Sequence, residues 1–249
     1  NIDGTTGVRL EYNNSTKLET TSSGVNITGQ STFVQNAGDA NFIVGSTNAS
    51  GAYLVLDGDS NGDAAGGDYA YLVHDSSGNL QIVSNNPGAN SNIQFHNNGG
   101  EVARIDSSGR VKTPNQPYCM VGRGSNQTIT TSSSNKILFD TEAVDRGGNF
   151  DTSNGRFTAP IAGDYLVSLI VQYTQNINQL HAGIWKNGGT LGTGFDSWIN
   201  YGDDQRAGVM TATLQLAASD YIEGYTYHTQ GSNMQLEASR TKMTIRFLG

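Results

Sequence analysis

An acidic segment at residues 57–68 has the residue types and spacing of a calcium-binding loop. Oxygen-bearing side chains at its first, third and fifth positions, a glycine at the sixth and a carboxylate at the twelfth direct several oxygens toward one point, as a hard cation requires. A solvated acidic turn between two hairpins explains the same residues, because no helical pattern flanks the segment. Calcium is the one candidate cofactor. Its ligands would be Asp57, Asp59, Asn61, Asp63 and Asp68.

A second segment, residues 195–204, combines aromatic rings with adjacent carboxylates and is predicted to bind a ligand. Aromatic side chains in a glycine-flanked polar loop can stack on the faces of sugars. The alternative is that the Trp and Ile of this segment pack into the fold or into a subunit interface. The predicted receptor-binding residues are Phe195, Trp198, Tyr201, Asp203 and Asp204.

The sequence does not indicate an enzyme. Adjacent carboxylates would suit glycan hydrolysis, but neighbours along a strand point to opposite faces, which favours a solvated loop. The four histidines are not at metal-ligand spacing. There is no G-x-S-x-G motif and no phosphate-binding glycine loop of the required spacing.

Composition excludes several classes of partner. The chain of 249 residues has a formal net charge of −8. An acidic surface disfavours nucleic acid and anionic membranes, because phosphate binding needs clustered Lys and Arg. No apolar segment is long enough to span a bilayer. Cys119 is the only cysteine, so the chain cannot form an internal disulfide, which fits assembly in a reducing cytosol such as that of an infected bacterium.

The elements that would position these residues are predicted to be β-strands almost throughout, because polar and β-branched residues alternate between Gly and Asn turns. In the first half, Ser-Ser-Gly precedes a short alternating segment three times, at Gly24, Gly78 and Gly109. This pattern is typical of hairpin turns that need positive φ. Each hairpin has too few large apolar residues to bury a core alone. Winding of three chains around one narrow core would supply the missing partners.

Residues 10–29 and 93–111 resemble the repetitive shafts of bacteriophage tail fibres. The resemblance covers most of residues 1–113 and implies an intertwined trimeric β-hairpin shaft, with other tail or fibre proteins bound at its N-terminal end. Pro114 and Pro117 interrupt this pattern, since proline is excluded from central strands. Residues 114–117 are therefore a predicted linker, and residues 118–249 have a length that fits one jelly roll.

The strand predicted at residues 165–173 is too continuously apolar to have one face in water, which implies a sandwich or a subunit interface. A tight turn shaped by Pro160 and Gly163 precedes it. Together with Phe139-Asp140, Asn149-Phe150-Asp151 and the closing segment 243–249, this order resembles the globular head of complement component-one-q, a trimeric jelly roll. The departures are Ala159, where complement heads often carry Cys, and Ser219, where Gly is usual. The resemblance implies a homotrimer with Tyr165, Leu169, Val171 and Phe247 in the core or in the interface.

These observations predict an all-β chain with a β-hairpin shaft at residues 1–113 and a jelly-roll β-sandwich head at residues 118–249. The expected function is the structural and receptor-binding part of a phage tail fibre, which attaches the virion to a bacterial surface polysaccharide or outer-membrane protein. Such a fibre is assembled in the host cytoplasm, belongs to the virion tail and acts outside the cell. The alternatives are a tailspike-type enzyme that degrades polysaccharide and a secreted binding protein with a complement-like head.

Overall fold

The computed structural model describes residues 2–3, 7–22, 24–28, 30, 42–47, 51–57, 69–85, 91–191 and 197–249, with the backbone alone for residues 2–3 and 197–205. These residues form β-strands joined by turns, which confirms the predicted all-β fold class. Across this described part of the chain, no helix has the length and hydropathy needed to cross a membrane. The chain divides into two compact units, residues 1–91 and 92–249.

The strands described in the first unit form antiparallel hairpins. The chain forms one sheet in the order β1-β2-β3-β4 and a second sheet in the order β5-β6-β7. Asn13 and Asn14, both at positive φ, make the two-residue turn between β2 and β3, as the right-handed twist of a hairpin favours. The strands are β1 Ile2–Asp3, β2 Gly7–Tyr12, β3 Ser15–Thr21, β4 Gly24–Ile27, β5 Ala52–Asp57, β6 Tyr69–His74 and β7 Leu80–Ser84.

The second unit begins with one more hairpin sheet, in the order β10-β9-β8, and continues into the head. The linker predicted at residues 114–117 forms the turn that joins β10 to β11. The hairpin strands are β8 Ile93–Asn97, β9 Gly100–Ile105 and β10 Val111–Lys112. The head strands are β11 Tyr118–Gly122, β12 Gln127–Ile129, β13 Asn135–Lys136, β14 Thr141–Arg146, β15 Phe150–Asp151, β16 Arg156–Thr158, β17 Gly163–Lys186, β18 Gly189–Thr190, β19 Ser197–Leu216, β20 Tyr221–His228, β21 Met234–Leu236 and β22 Lys242–Phe247.

The head is a sandwich because two long strands, β17 and β19, pass from one layer to the other. Their first layer, here called the front sheet, has the order β14-β11-β22-β17-β19 and uses residues 163–172 and 207–216 of the long strands. The back sheet pairs β13 and β16 with β20, β20 with residues 180–186 of β17, and residues 179–182 of β17 with β19. The register shifts between Gln172 and Gln179, where the long strands change layers. The strand predicted at residues 165–173 therefore continues to Lys186, with Ile177 paired to Gln205 of β19 between the two register shifts.

The core of the head lies between the two sheets. Tyr165, Leu169 and Val171 are fully buried, which places them in the protomer core, and Phe247 packs partly buried against the same cluster. Phe157 of the back sheet meets Tyr165 of the front sheet edge-on at 5.8 Å between ring centroids. Such aromatic contacts add to area burial in joining the layers.

The tight turn before β17 depends on one hydrogen bond and on one glycine. The Tyr165 hydroxyl donates to the Ile161 carbonyl at 2.8 Å. Gly163 has φ +150°, and a Cβ there would lie 2.5 Å from the Gly249 carbonyl oxygen and 2.6 Å from the Phe247 ring. Only glycine therefore fits where the chain end crosses the start of β17.

Candidate functional site

The predicted receptor-binding segment continues the back sheet. Phe195 lies outside the described residues, and Trp198, Tyr201, Asp203 and Asp204 belong to strand β19 rather than to a loop. The backbone register places Trp198 opposite His181. The segment thus adjoins the strand of β17 that carries Trp185, and its role in binding stays a prediction.

The predicted calcium loop falls almost wholly outside the described residues. Asp57 is the last residue of β5, while Asp59, Asn61, Asp63 and Asp68 are not among the described residues. Over the described ranges, no three His, Cys, Asp or Glu side chains are grouped to hold a metal ion. Calcium binding by residues 57–68 remains a prediction.

The outward face of the front sheet is a regular array of apolar, hydroxyl and cationic side chains. Leu166 is exposed and Ile170 is partly exposed although both lie in the central strand β17, and Val209 of the neighbouring edge strand β19 is exposed beside them. An antiparallel sheet with one face in water usually carries polar residues on that face. Three aligned rows cross the face. They are Arg146–Tyr118–Arg246–Leu166–Thr213, Val144–Met120–Thr244–Ser168–Thr211 and Thr141–Gly122–Lys242–Ile170–Val209.

The outward face of the back sheet carries stacked aromatic rings. Trp185 and Tyr225 stack with centroids 3.7 Å apart and planes 13° from parallel. The register sets Gly183 opposite Tyr225, which leaves room for the indole of Trp185, two residues along on the same face. Both rings remain partly exposed. Each ring thus covers one face of the other, and the stacked pair lies on the outside of the head.

Beside the stacked rings, the buried carboxylate of Glu223 pairs with two cations. The Glu223 Oε1 atom accepts from the Lys136 Nζ at 2.6 Å and from the Arg156 Nη2 at 3.0 Å. Burial opposes ionisation, but the hydrogen bonds from Lys136 and Arg156 outweigh it and hold the pKa of Glu223 below its ordinary value. The Arg156 guanidinium lies 3.6 Å from the centroid of the Tyr221 ring, a cation–π contact that fixes it further. Side-chain exposure is 3% for Glu223, 25% for Lys136 and 34% for Arg156.

Sequence analysis missed this cluster because its members come from four strands. Trp185, Glu223 and Tyr225 look like ordinary strand residues along the chain. The signal was the alternation Tyr221, Glu223, Tyr225 and Tyr227 in β20, which places a carboxylate and three rings on one face. That pattern alone does not identify Arg156 and Lys136 as neighbours.

Sequence analysis also missed an aspartate that closes two of the Ser-Ser-Gly turns. Asp75 Oδ1 accepts from the Ser77 and Asn79 amides at 3.0 and 2.9 Å. Asp106 Oδ1 accepts from the Ser108 and Arg110 amides, both at 3.0 Å. Hydrogen bonds to the Asn79 amide and side chain lower the pKa of Asp75 to about 2. These are two copies of one turn, D-S-S-G-x, and their role is structural.

Cys119 cannot serve as a reactive thiol in the folded head. It is fully buried on β11, facing the core. Burial, followed by the nearby charges of Asp145 and Glu142, raises the pKa of the Cys119 thiol to about 12. The nucleophilic thiolate is therefore absent at neutral pH.

Comparison with known proteins assigns the head. Residues 120–241 match the family model of the C1q domain. No curated protein is significantly similar to the chain in sequence. Among solved structures, the globular domain of zebrafish complement 1qA protein is 12% identical, with a TM-score of 0.40, over 54% of this chain and 98% of that one.

Two further structures have similar coverage. Murine APRIL at pH 8.5 is 13% identical with a TM-score of 0.42, over 53% of this chain and 99% of that one. Eiger TNF from S. frugiperda is 10% identical with a TM-score of 0.41, over 54% of this chain and 94% of that one. The family match agrees with the motif order from Phe139 to Gly249. Residues 120–241 form a C1q-like globular domain.

Proposed function

We propose that this chain is the structural and receptor-binding part of a phage tail fibre, a homotrimer whose head attaches the virion to a bacterial surface. The observation that carries the proposal is a C1q-like head that follows hairpins whose described apolar residues, apart from Val73, are not buried. Domains of the C1q type are usually homotrimeric binding modules rather than enzymes. The head would face the host, and the hairpins would lead back to other tail or fibre proteins.

The front sheet supports the trimer. Its outward face exposes Leu166 and Val209 beside the partly exposed Ile170 and Met120. Burial of such a face against a second copy removes apolar surface from water at about 25 cal/mol per Å². Thr211, Thr213 and Thr244 lie on the same face, so no acidic side chain stands among these apolar residues in the three aligned rows.

The hairpins support the shaft. Among the described residues of 1–113, Val73 is the one buried apolar side chain. Leu10, Val25, Leu80 and Ile82 are all exposed in the isolated chain. Three chains wound together would cover these residues, and the head would register the chains before winding, which lowers the entropic cost of nucleation.

Attachment would depend on multivalency. Three identical heads on one fibre raise avidity for a repetitive target such as a surface polysaccharide or an outer-membrane protein. The trimer would be assembled in the host cytoplasm, carried in the virion tail and active outside the cell. This arrangement needs no catalytic group.

Oligomeric state is the first test. Native mass spectrometry of the purified chain should give three times the chain mass of 26.4 kDa. The double variant Leu166→Glu with Val209→Glu should dissociate to single folded chains, because six carboxylates would be buried in the trimer. Leu138→Glu, an exposed residue away from the front sheet, is the matched control and should remain trimeric. A wild-type monomer would overturn the proposal.

Attachment and hydrolysis are separated by a second test. Fluorescently labelled trimer should adsorb to cells of the phage's host, and no reducing sugar should be released from the host polysaccharide during binding. Release of reducing ends would favour the tailspike-type enzyme. Absence of adsorption to any bacterial strain tested would favour the secreted binding protein.

A further inference from the structure

We propose that protonation of His228 opens the end of the head that lies farthest from the linker. In its neutral form the imidazole ring joins two connections of the head, residues 130–134 between β12 and β13 and residues 229–233 between β20 and β21. In its protonated form the ring cannot keep the hydrogen bond that holds the second connection. The opening concerns a single protomer, so it depends neither on trimerisation nor on attachment to bacteria.

His228 lies at the end of the sandwich where the long strands change layers. In the front sheet, β11 starts at the linker and ends at Gly122, which pairs with Lys242 of β22. Lys242 also pairs with Ile170 of β17, so the change of layers at residues 172–179 is at the end remote from the linker. His228 is the last residue of β20, which pairs with the part of β17 just beyond this change.

Two hydrogen bonds fix the neutral form of the ring and its tautomer. The Gln230 amide donates to the His228 Nδ1 atom at 3.3 Å, so Nδ1 carries no proton. The Nε2 atom lies 3.2 Å from the Ile129 carbonyl oxygen and must be the donor of that bond. The hydrogen-bond network therefore assigns the neutral Nε2–H tautomer. A second proton would have to bind Nδ1, where it would face the Gln230 N–H group.

The surroundings of the ring disfavour its charged form. His228 is fully buried, and the Tyr173 ring contacts it edge-on at 5.4 Å between ring centroids. The Tyr173 hydroxyl is neutral, because burial raises its pKa well above the ordinary value. Burial also lowers the pKa of His228, and the bond to the Ile129 carbonyl opposes this shift only in part.

Among the described residues, the other titratable side chains of the surrounding elements do not contact the ring. Strands β12 and β21 and the two connections contain no titratable residue. His181 is in register with Tyr227, on the other face of the back sheet, and Glu237 bonds to Gln172 and pairs with Arg240. A protonated ring would therefore be buried without a counter-charge, which favours opening. The remaining titratable residues of β20 share the face of Tyr227, and those of β17 lie toward its two ends: Tyr221, Glu223 and Tyr225, and Asp164, Tyr165 and Lys186.

Hydrogen bonds hold the two connections in place, so they can open while the core of the head stays folded. The middle of each connection is exposed. The Gly231 amide donates to the Thr131 Oγ1 atom at 3.1 Å, which joins the two connections. The Gln230 Oε1 atom accepts from the Asn178 amide at 2.9 Å, which joins the second connection to β17. Exposed segments held by few hydrogen bonds open at a lower free energy than the core.

The opening would reach the predicted receptor-binding segment. Ile177, next to Asn178, pairs with Gln205 of β19, and Gln205 directly follows Asp203 and Asp204. Attachment through this segment would therefore weaken in acid. That consequence, unlike the opening itself, rests on the proposed function.

The experiment follows the ring and the two connections in the full chain from about pH 7 to about pH 5, the range in which histidine titrates. NMR of the imidazole carbons should give His228 a pKa below the value of about 6.5 found in unfolded chains. A lowered folded pKa stabilises the closed form above that pH, and the contribution is lost as the pH falls. Because the open form binds one more proton, the opening equilibrium should rise by up to about tenfold per pH unit.

Hydrogen–deuterium exchange measures the opening, once it is corrected for the intrinsic pH dependence of amide exchange. Residues 130–134 and 229–233 should lose protection in acid, whereas residues 163–172 of the front sheet should keep theirs. His228→Gln keeps a neutral polar side chain at every pH and should abolish the acid response. His96→Gln is the matched control, since it removes an exposed histidine of β8 and should respond as the wild type does.

Gln230→Ala tests how the opening reaches β17. The variant keeps the Gln230 backbone amide and loses the side-chain bond to Asn178, so residues 229–233 should still respond to acid and residues 176–178 should no longer follow them. Circular dichroism checks that each variant is folded. If His228→Gln does not fold, the ring titration and exchange of the wild type and of Gln230→Ala decide the question.

The inference is overturned if the His228 ring of the folded chain titrates at about 6.5 or above, the ordinary range of histidine. It is also overturned if exchange of the two connections is the same at both ends of the pH range, or if His228→Gln responds to acid as the wild type does. An equal loss of protection throughout the head would contradict it as well, because that result reports global unfolding. Failure to trimerise or to adsorb to cells would count against the proposed function alone.

Discussion

The hairpin strand β5 and the head strand β17 contain similar runs of apolar residues but differ in how far these residues are buried. Tyr53, Leu54, Val55 and Leu56 are consecutive in β5, and each is between 39% and 58% exposed. In β17, every second residue from Tyr165 to Tyr173 is fully buried. The difference is the second layer: β17 has the back sheet over one face, while the sheet β5-β6-β7 has no second sheet over it among the described residues. An apolar run therefore specifies a strand, and burial requires a partner layer.

The front sheet and the hairpin sheets also differ in how much apolar surface their outward faces expose. The front sheet still exposes Leu166 and Val209 after the head has folded, and most of the large apolar side chains described in the hairpins are exposed. Apolar residues are exposed on both faces of β5, whereas in the front sheet they are exposed on one face only. If the proposed trimer forms, the hairpins would therefore depend on assembly more than the head does.

The largest expected difference is between the two units expressed separately. Residues 92–249 should unfold cooperatively, because the whole buried cluster lies between Cys119 and Ile245. Residues 1–91 as a monomer should show no cooperative transition, because hairpins without a core are marginal in water. Urea unfolding followed by circular dichroism measures both.

The control for this pair is protein concentration. A transition in residues 1–91 that appears only as concentration rises reports association, since binding stabilises the folded state by mass action. A cooperative transition in the dilute monomer would show that the hairpins have a core of their own.

The second-largest difference is expected when a core side chain of the head is truncated. Phe157→Ala removes a fully buried ring that packs on Tyr165 and should lower the free energy of unfolding by about 3–5 kcal/mol. Leu80→Ala in the hairpins removes a side chain that is 72% exposed, so in a monomer its effect should be within about 0.5 kcal/mol. Chemical denaturation of a monomeric front-sheet variant, followed through the transition of the head, compares both substitutions with the same parent chain.

The same Leu80→Ala change in the trimer tests whether three chains share a core at this position. If three chains share a core at this position, the substitution removes three leucines at once and should lower the stability of the shaft by several times the monomer value. Equal effects in monomer and trimer would mean that Leu80 stays in water in the assembled fibre.

Glycine substitutions should separate backbone strain from crowding. Gly155 and Gly78 both have positive φ, +66° and +86°, which costs an alanine about 1–2 kcal/mol. A Cβ at Gly155 would also lie 2.9 Å from the Ile137 carbonyl oxygen, whereas nothing lies within 4 Å at Gly78. Gly155→Ala should therefore destabilise the head by more than Gly78→Ala destabilises the hairpin. Equal losses in thermal unfolding would mean that the backbone at Gly155 shifts to accept the methyl group.

The smallest effect is that of acid on the D-S-S-G-x turn. The pKa of Asp75 is about 2 in the folded turn, held down mainly by hydrogen bonds from Asn79, against about 3.9 in an unfolded chain. A lowered folded pKa stabilises the turn above pH 4, and this contribution is lost as the pH falls from about 4 to about 2. Amide chemical shifts of Ser77 and Asn79 should report the loss. Asp75→Asn should abolish this titration, and a shift that persists in the variant would assign it to another group.

Local patterns predicted much of the fold but little of the candidate site. The Ser-Ser-Gly repeat, the proline pair and the turn before Tyr165 are local signals, and each marks the turn expected of it. The strand predicted at residues 165–173 was too short, because β17 continues to Lys186 through a bulged stretch in which Ile177 pairs with Gln205 of β19. The Glu223 cluster escaped prediction since Lys136 and Glu223 are 87 residues apart in the chain.

The sequence by itself determined that this protein is all-β, that hairpins precede a C1q-like domain, and that positive-φ turns separate the strands. Those properties follow from alternation, turn residues and motif order, which depend on neighbours along the chain. The tertiary structure decided which face of β17 is core and which is surface. It also placed Lys136, Arg156 and Glu223 beside the stacked rings of Trp185 and Tyr225. That outcome depends on the register of strands that are distant in sequence, and a shift of one residue would reverse every face.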